Sequence, residues 1–215
     1  MKLFLGKYNC IIKRIFIFLC TILMTLYTEF EIKFLDINPD DIRKRLQEIW
    51  ATCNIPLRRM QRYVFAHPTN SQAYLRVRQE WTKITTTYKE HDDNKTIDSV
   101  KEIEVIIDNA EAMRNIYKAC GLEEKAIQET YRENRIYENV DISIDRRPWL
   151  KPFIEIEWAS AVSVETVAWL LGFTIDTGIY GTVSDIYYKE LGIPHDIINN
   201  TPTITFENPP IKMRG

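Results

Sequence analysis

"EFEIKF", Glu29–Phe34, sets Glu29, Glu31 and Lys33 at alternate positions, with Phe30, Ile32 and Phe34 between them. In a β-strand, side chains two apart share a face, so three charges stand on one side and three apolar groups on the other. The apolar face belongs against a core. The charged face looks either to water or into a binding site, and a single strand cannot decide between them. The decision rests on whether other strands carry the same pattern.

They do. Arg76 and Arg78 in "AYLRVRQE", Glu102 and Glu104 in "EIEVIID", and Glu155 and Glu157 in "FIEIEW" each lie two apart among apolar neighbours. Taken singly, each pair reads as the solvated face of an antiparallel sheet. Outward-facing charges would leave the apolar faces to be covered by helices or by a second sheet. Inward-facing charges would line a closed barrel, carboxylate on one side and guanidinium on the other. That interior has a coherent chemistry. Crowded carboxylates do not all stay ionised without a cation, and oxygen ligands suit Mg²⁺ or Mn²⁺. Facing Lys and Arg would hold a polyanion, and a triphosphate fits between a cation and a basic wall.

Composition removes other classes. The net charge of −2 argues for neither nucleic acid nor an anionic membrane as a bulk partner, and the 45% hydrophobic and 27% charged content is that of a globular chain. No GxxxxGK[ST] loop occurs, which excludes a P-loop enzyme. Cys10, Cys20, Cys53 and Cys120 are widely spaced, arguing against a zinc site or a disulfide framework and for reduced thiols in the cytoplasm. Asn94-Lys95-Thr96 fits a glycosylation sequon only on a secretory route. His67, His91 and His195 show no metal-ligand spacing.

The apolar run Ile15–Leu26 follows Lys13 and Arg14. Its twelve residues would span about 18 Å as a helix, short of the roughly 30 Å hydrocarbon layer. No stable membrane insertion is expected. A translation start at Met24 is the favoured reading of residues 1–23, with a membrane-touching anchor or an extra helix as alternatives. Residues 24–215 are expected to form one domain.

Along that domain, Asn38 caps a helix with Pro39 in its first turn, and Ile42, Leu46 and Ile49 recur at helical spacing. "RRMQRYVFAHP", "AYLRVRQE" and "KITTTYKE" read as strands, "HPTNSQ" as a turn and "HDDNKTID" as an exposed loop. The order then repeats: the "EIEVIID" strand, a helix capped by Asp108 or Asn109 and stopped at Gly121, then strands "TYRENRIYEN", "VDISID" and "FIEIEW". Two similar halves follow from this order. "SVETVAWLLGF" and "SDIYYKELG" read as short helices, and "NNTPTITFENPP" as an irregular arm.

These residues resemble the CYTH family, the triphosphate tunnel metalloenzymes. "EFEIK" is similar to its opening ExExK signature, "LRVR" to its RxR strand and "TTYK" to its strand ending in Lys89. "EIEV" and "FIEIE" are similar to its central and final ExE, "YRENR" to its basic strand and "ISID" to its Asp strand. The matches run in family order from residue 29 to 157. The resemblance implies an α+β fold: an eight-stranded antiparallel β-barrel forming a tunnel, with flanking helices. It also implies a divalent-metal enzyme acting on a small-molecule triphosphate (inorganic tripolyphosphate, a nucleotide or thiamine triphosphate). A cyclase making cyclic AMP and pyrophosphate, an RNA 5′-triphosphatase and a non-catalytic polyphosphate-binding module are the alternatives. A monomer and a homodimer are both compatible with it.

The same resemblance implies the site. Glu29, Glu31, Glu155 and Glu157, with Asp145, would form the main metal set, and Glu104 with Glu102 would serve a second metal or the attacking water. Lys33, Arg76, Arg78, Lys89 and Arg132 or Arg135 would hold phosphate, with Lys33 and Glu104 as the catalytic pair. Lys83 competes with Lys89 for its role. Lys189 is either a basic site residue or a surface lysine. Arg59 and Arg62 could face either way. "RRPWLKP" stands where a short glycine-containing turn is expected, and Arg146, Arg147 and Lys151 there are either substrate contacts or part of a solvated loop, the loop being the favoured reading.

Overall fold

Residues 27–92 and 94–208 are described by a computed structural model. The expected apolar leader, residues 1–23, and Met24 lie outside the described residues. Among the described residues no helix is long and apolar enough to cross a membrane.

The first half of the chain runs β1 (Tyr27–Phe34), α1 (Pro39–Glu48), β2 (Thr52–Ala66), β3 (Ala73–Gln79) and β4 (Ile84–His91). The second half repeats it as β5 (Val100–Ile107), α2 (Ala110–Ala119), β6 (Glu124–Tyr137), β7 (Val140–Arg146) and β8 (Phe153–Trp158). The strands lie in the order β2-β3-β4-β5-β1-β8-β7-β6, and β2 pairs with β6 to close an eight-stranded antiparallel barrel. The halves therefore meet at equivalent strands, β1 on β5 and β2 on β6. After the barrel come α3 (Ala161–Leu170), a single 3-10 turn, α4 (Val183–Leu191), α5 (His195–Asn199) and β9 (Thr203–Ile204).

Both helices of the repeat start and stop by the same devices. The side chains of Asn38 and Asn109 accept backbone N–H groups of the first turn, as the sequence leads one to expect. At the other end, Ala51 donates to Leu46 and Trp50 to Gln47, matched by Leu122 to Tyr117 and Gly121 to Lys118. This is the Schellman arrangement, with a left-handed residue just past the helix. Gly121 takes that conformation at φ 83°, whereas α1 puts Trp50 there at φ 64°.

The alternation of β1 decides where the apolar core lies. Ile32 and Phe34 point outward and pack with Ile154 and Ile156 of β8 against Leu46 of α1 and Val167 of α3. Each such side chain, fully removed from water, contributes about 1.5–3 kcal/mol. A second outer core, with Tyr63, Phe65 and Val77, lies under α2. A third, with Phe153, Ile186 and Tyr187, lies under α4. Phe153 shares the parity of Glu155 and Glu157, so this third layer closes one end of the barrel beneath α4. With the other two layers outside, the rest of the inner face is left to the charges.

Three expectations need correction. β2 and β6, at 15 and 14 residues, extend well past the runs that the pattern suggests. Register shifts between Cys53 and Arg58 bracket Pro56 and break the period of two. The C-terminal arm is not wholly irregular, since Thr203 and Ile204 add a parallel strand to Ile127 and Gln128 of β6. The short helix α5 had no pattern of its own long enough to read.

Only Tyr27–Glu29 of β1 pair with β5. Beyond them, the Glu31 N–H donates to the Ile97 carbonyl, while Lys33 and Ile179 exchange backbone hydrogen bonds at 3.0 and 2.8 Å. These bonds satisfy an otherwise open edge. They also draw the 179–181 segment onto the barrel wall, where Gly181 O accepts Lys33 Nζ at 3.0 Å. Gly178 permits this approach, because a Cβ there would lie 2.3 Å from Ile32 Cδ1.

Candidate active site

The barrel encloses a charged cavity of about 740 Å³. On the β1–β8 wall, Glu31 lies opposite Glu157 and Lys33 opposite Glu155. One carboxylate oxygen from each of Glu29, Glu31 and Glu157 falls within 4.8 Å of the other two. Burial, with Glu102 and Glu31 adding to it against Lys89, pushes the Glu29 carboxyl up to about 7. Burial and then Glu29 and Glu155 push Glu157 well above the usual carboxylate range. Burial works against ionisation of Glu31 as well, but Lys33 and Lys89 hold it below the usual carboxylate range. Three crowded oxygen donors, two of which resist shedding their protons, are a donor set for a hard divalent cation such as Mg²⁺ or Mn²⁺. The residues present fit such an ion.

Cations hold Glu29 and Glu31 of this cluster, and Glu102, Glu104, Asp145 and Glu155 besides. Lys33 Nζ bonds Glu31 at 2.7 Å and lies 3.4 Å from Glu155. Lys89 Nζ is 2.9 Å from Glu29 and 3.2 Å from both Glu31 and Glu102. Arg132 forks onto Asp145 at 2.6 and 2.7 Å and reaches Glu155 at 2.7 Å. Arg78 lies 3.0 Å from Glu104, with Lys83 at 3.4 Å and Arg76 at 3.5 Å. Although burial works against ionisation, Arg78, Arg76 and Lys83 hold the Glu104 carboxyl down at about 2. A carboxylate that weak as a base accepts hydrogen bonds and orients a donor, but does not retain a proton near neutrality.

With the charged tunnel established, similarity to known proteins has a structural meaning. The CYTH domain pattern matches residues 27–171. The chain belongs to the CYTH family. Its fold is shared with the PH1012 protein of Pyrococcus horikoshii OT3 (TM-score 0.60, 23% identity, 70% of this chain and 93% of that one). A candidate adenylate cyclase from Vibrio parahaemolyticus superposes with TM-score 0.63 at 11% identity, covering 75% of this chain and 98% of its own. The PH1819 protein of P. horikoshii OT3 does so with TM-score 0.57 at 20% identity, covering 75% and 99%. No curated protein matches the sequence.

The CYTH barrel brings Lys33, Arg76, Arg78, Lys89 and Arg132 into one cavity with Glu29, Glu31, Glu102, Glu104, Glu155 and Glu157. It does not bring Arg135, which lies three residues from Arg132 and so on the opposite face of β6. There it pairs with Glu133 at 2.8 Å. Asp145 is fully buried, and both its oxygens serve Arg132, so it orients that guanidinium and is not part of the Glu29–Glu31–Glu157 group. Glu155 is likewise occupied by Arg132 and Lys33 and lies outside that group.

Lys83 and Lys89 both line the cavity, Lys89 within it and Lys83 beside Glu104. Arg62 turns inward, and Arg59 outward to Glu129. Lys189 is on the surface. Of the supposed solvated loop, Arg146 is exposed and Lys151 reaches Asp36 at 2.7 Å on the surface, but Arg147 is buried and lines the cavity. Sequence reasoning also missed Arg58 and Glu80, a buried pair with Nε to oxygen at 2.9 Å. Glu80 holds Arg78 Nε at 2.9 Å as well. The missed signal is parity: Glu80 continues the alternation Arg76, Arg78 along β3 into its turn.

Proposed function

We propose that this CYTH protein is a divalent-cation-dependent enzyme that hydrolyses the terminal phosphoryl group of a triphosphate bound in the tunnel. The observation that carries the reading is the closeness of the Glu29–Glu31–Glu157 oxygen cluster to Lys33, Lys89, Arg76, Arg78 and Arg132 within one cavity.

Phosphoryl transfer asks mainly for positioning and charge. The Arg76, Arg78 and Arg132 guanidiniums supply forked donors matched to phosphate oxygens, and Lys33 and Lys89 supply point charges beside them. Each is aimed beforehand by a carboxylate: Arg132 by Asp145, Arg78 by Glu80, Lys33 by Glu31. Glu29, Glu31 and Glu157 would hold Mg²⁺ or Mn²⁺, which polarises a bound phosphoryl oxygen and lowers the barrier to attack. Glu104, ionised beside Arg78, can accept a hydrogen bond from an attacking water. The tunnel keeps bulk water from the reacting group. Free, exposed Cys53 and Cys120 suit a reducing compartment, in keeping with a cytoplasmic enzyme.

The test supplies tripolyphosphate, ATP, GTP and thiamine triphosphate with each metal and measures orthophosphate, pyrophosphate and cyclic nucleotide separately. Orthophosphate release that EDTA abolishes is the expected result. Pyrophosphate with cyclic AMP would replace hydrolysis by cyclisation in the same clamp. Unchanged substrate with every metal would leave a binding module.

A further inference from the structure

Among the described residues, two buried tunnel cations differ from the others in having no carboxylate within hydrogen-bonding reach. Arg62 of β2 and Arg147, in the turn after β7, are 4% and 8% exposed. Neither side chain makes a hydrogen bond or ion pair with any described residue, and both Nε atoms are buried without an acceptor. Both line the same cavity from either side of β6: Arg62, on β2, lies opposite Gln128, and Arg147 directly follows Arg146 of β7, which lies opposite Tyr131. Two guanidiniums buried in one cavity without hydrogen-bonded partners are unfavourable in the unliganded fold, so the surrounding structure must hold them there.

The turn carrying Arg147 shows how. Leu150 N–H closes it on Arg147 O at 3.2 Å, Pro148 takes its second position, and Trp149 takes the third at φ 64°. That position favours glycine, and a tryptophan there is strained. From α4, the Tyr187 hydroxyl donates to Pro148 O at 2.9 Å and clamps the turn. A strained, clamped turn that presents a buried, unneutralised charge to a cavity is built for an incoming anion.

Charge selects the anion. The carboxylate that acts most on Arg147 is Asp145, and both its oxygens are already taken by Arg132. Neither guanidinium therefore has an acceptor of its own, and a carboxylate or an internal phosphodiester, each carrying one negative charge, would satisfy the two only in part. A terminal phosphoryl group carries about −1.5 to −2 at pH 7 and three acceptor oxygens for the two forks. The ladders place Glu157 opposite Asp141 at the start of β7, whereas Arg147 follows its end. The unpaired arginine and the carboxylate cluster thus lie toward opposite ends of the β7–β8 wall.

We propose that Arg62 and Arg147 form an anchor for one free terminal phosphoryl group of a polyphosphate, the end remote from the carboxylate cluster at which its other end would be attacked. The anchor binds without metal and sets where the chain lies in the tunnel. The inference rests on reading the tunnel as a triphosphate site and adds a requirement for a free phosphoryl end.

The test is calorimetric titration of the full chain in EDTA with tripolyphosphate and with cyclic trimetaphosphate, which has no terminal group. Arg62→Gln, Arg147→Gln and Arg147→Lys are compared with the surface variant Arg146→Gln. Both glutamine variants should lose at least tenfold in affinity for tripolyphosphate. Arg147→Lys should lose less, and Arg146→Gln nothing. Trimetaphosphate binding should be the same throughout. Melting temperatures of the unliganded Arg147 variants should equal or exceed the wild type, which a purely structural arginine would not allow. Unchanged tripolyphosphate affinity in Arg147→Gln, or an equal loss for trimetaphosphate, overturns the anchor. Turnover assayed on the same proteins separates the two readings. Variant-sensitive binding with no wild-type turnover sinks the enzyme and keeps the anchor. Normal KM in Arg147→Gln sinks the anchor and keeps the enzyme.

Discussion

Glu31 of β1 and Glu157 of β8 are directly opposite across the ladder, two carboxylates facing each other inside the barrel with Glu29 beside them. Like charges in that relation destabilise a sheet, so this one is retained against the stability of the empty fold.

Replacing Glu157 with Gln should therefore raise the melting temperature in EDTA by about 2–5 °C. The same substitution should abolish the upward shift that Mg²⁺ or Mn²⁺ gives the wild type. Thermal denaturation with and without metal measures both effects, with no need for a substrate. A variant that melts lower in EDTA, yet still responds to metal, would remove Glu157 from the metal site.

Arg132 and Arg135 should behave oppositely. Arg132→Gln takes from Asp145, fully buried, the guanidinium bonded to both its oxygens, a defect of about 3–5 kcal/mol. It should also weaken tripolyphosphate binding. Arg135→Gln removes one of two cations on Glu133, since Arg43 lies 2.9 Å from the same side chain. Its cost should stay within about 1 kcal/mol, with tripolyphosphate affinity intact. Urea denaturation and calorimetry together distinguish the two.

That contrast also marks where the sequence was legible. A strand's period of two identified the inner faces of β1, β3, β5 and β8, because each pair there sits in an unbroken run. The same rule forbids Arg132 and Arg135 from sharing a face, but only the ladder shows which one is inside. In β2 the bulges around Pro56 break the period, which hid Arg58 and left Arg62 undecided. Arg147 lies in a turn, where parity has no meaning, and its burial comes from α4 packing over it. The 179–181 wall segment is held by tertiary hydrogen bonds to β1 that no local pattern announces.

The two repeat helices offer a stability test away from the tunnel. Trp50 is 89% exposed and holds the left-handed position that Gly121 fills in α2. Trp50→Gly gives up little packing and relieves the backbone, and should stabilise the protein by about 1 kcal/mol. Gly121→Ala should destabilise it by about as much, although a Cβ there would meet no atom within 4 Å. The signs of the two changes in urea midpoint check the argument. A destabilised Trp50→Gly would mean that the indole contributes more than its exposure suggests.

Asp185 supplies a pH dependence independent of the tunnel acids. It caps α4 by accepting Thr182 N–H at 2.8 Å and joins Lys95 at 2.6 Å to His195 at 3.0 Å. Against the cost of burial, the hydrogen bonds from Lys95, His195 and Thr182 hold its carboxyl down at about 2 from an ordinary 3.8. A depressed carboxylate contributes stability above its unfolded value, and that contribution disappears as pH falls through the folded one. Discounted for solvent screening, it is worth about 1 kcal/mol at neutral pH. Asp185→Asn should cost that amount at pH 7, and the difference from wild type should shrink between pH 4 and 2. Urea midpoints of both proteins across that range give the answer, and a gap that stays constant with pH would show that Asp185 acts through hydrogen bonding alone.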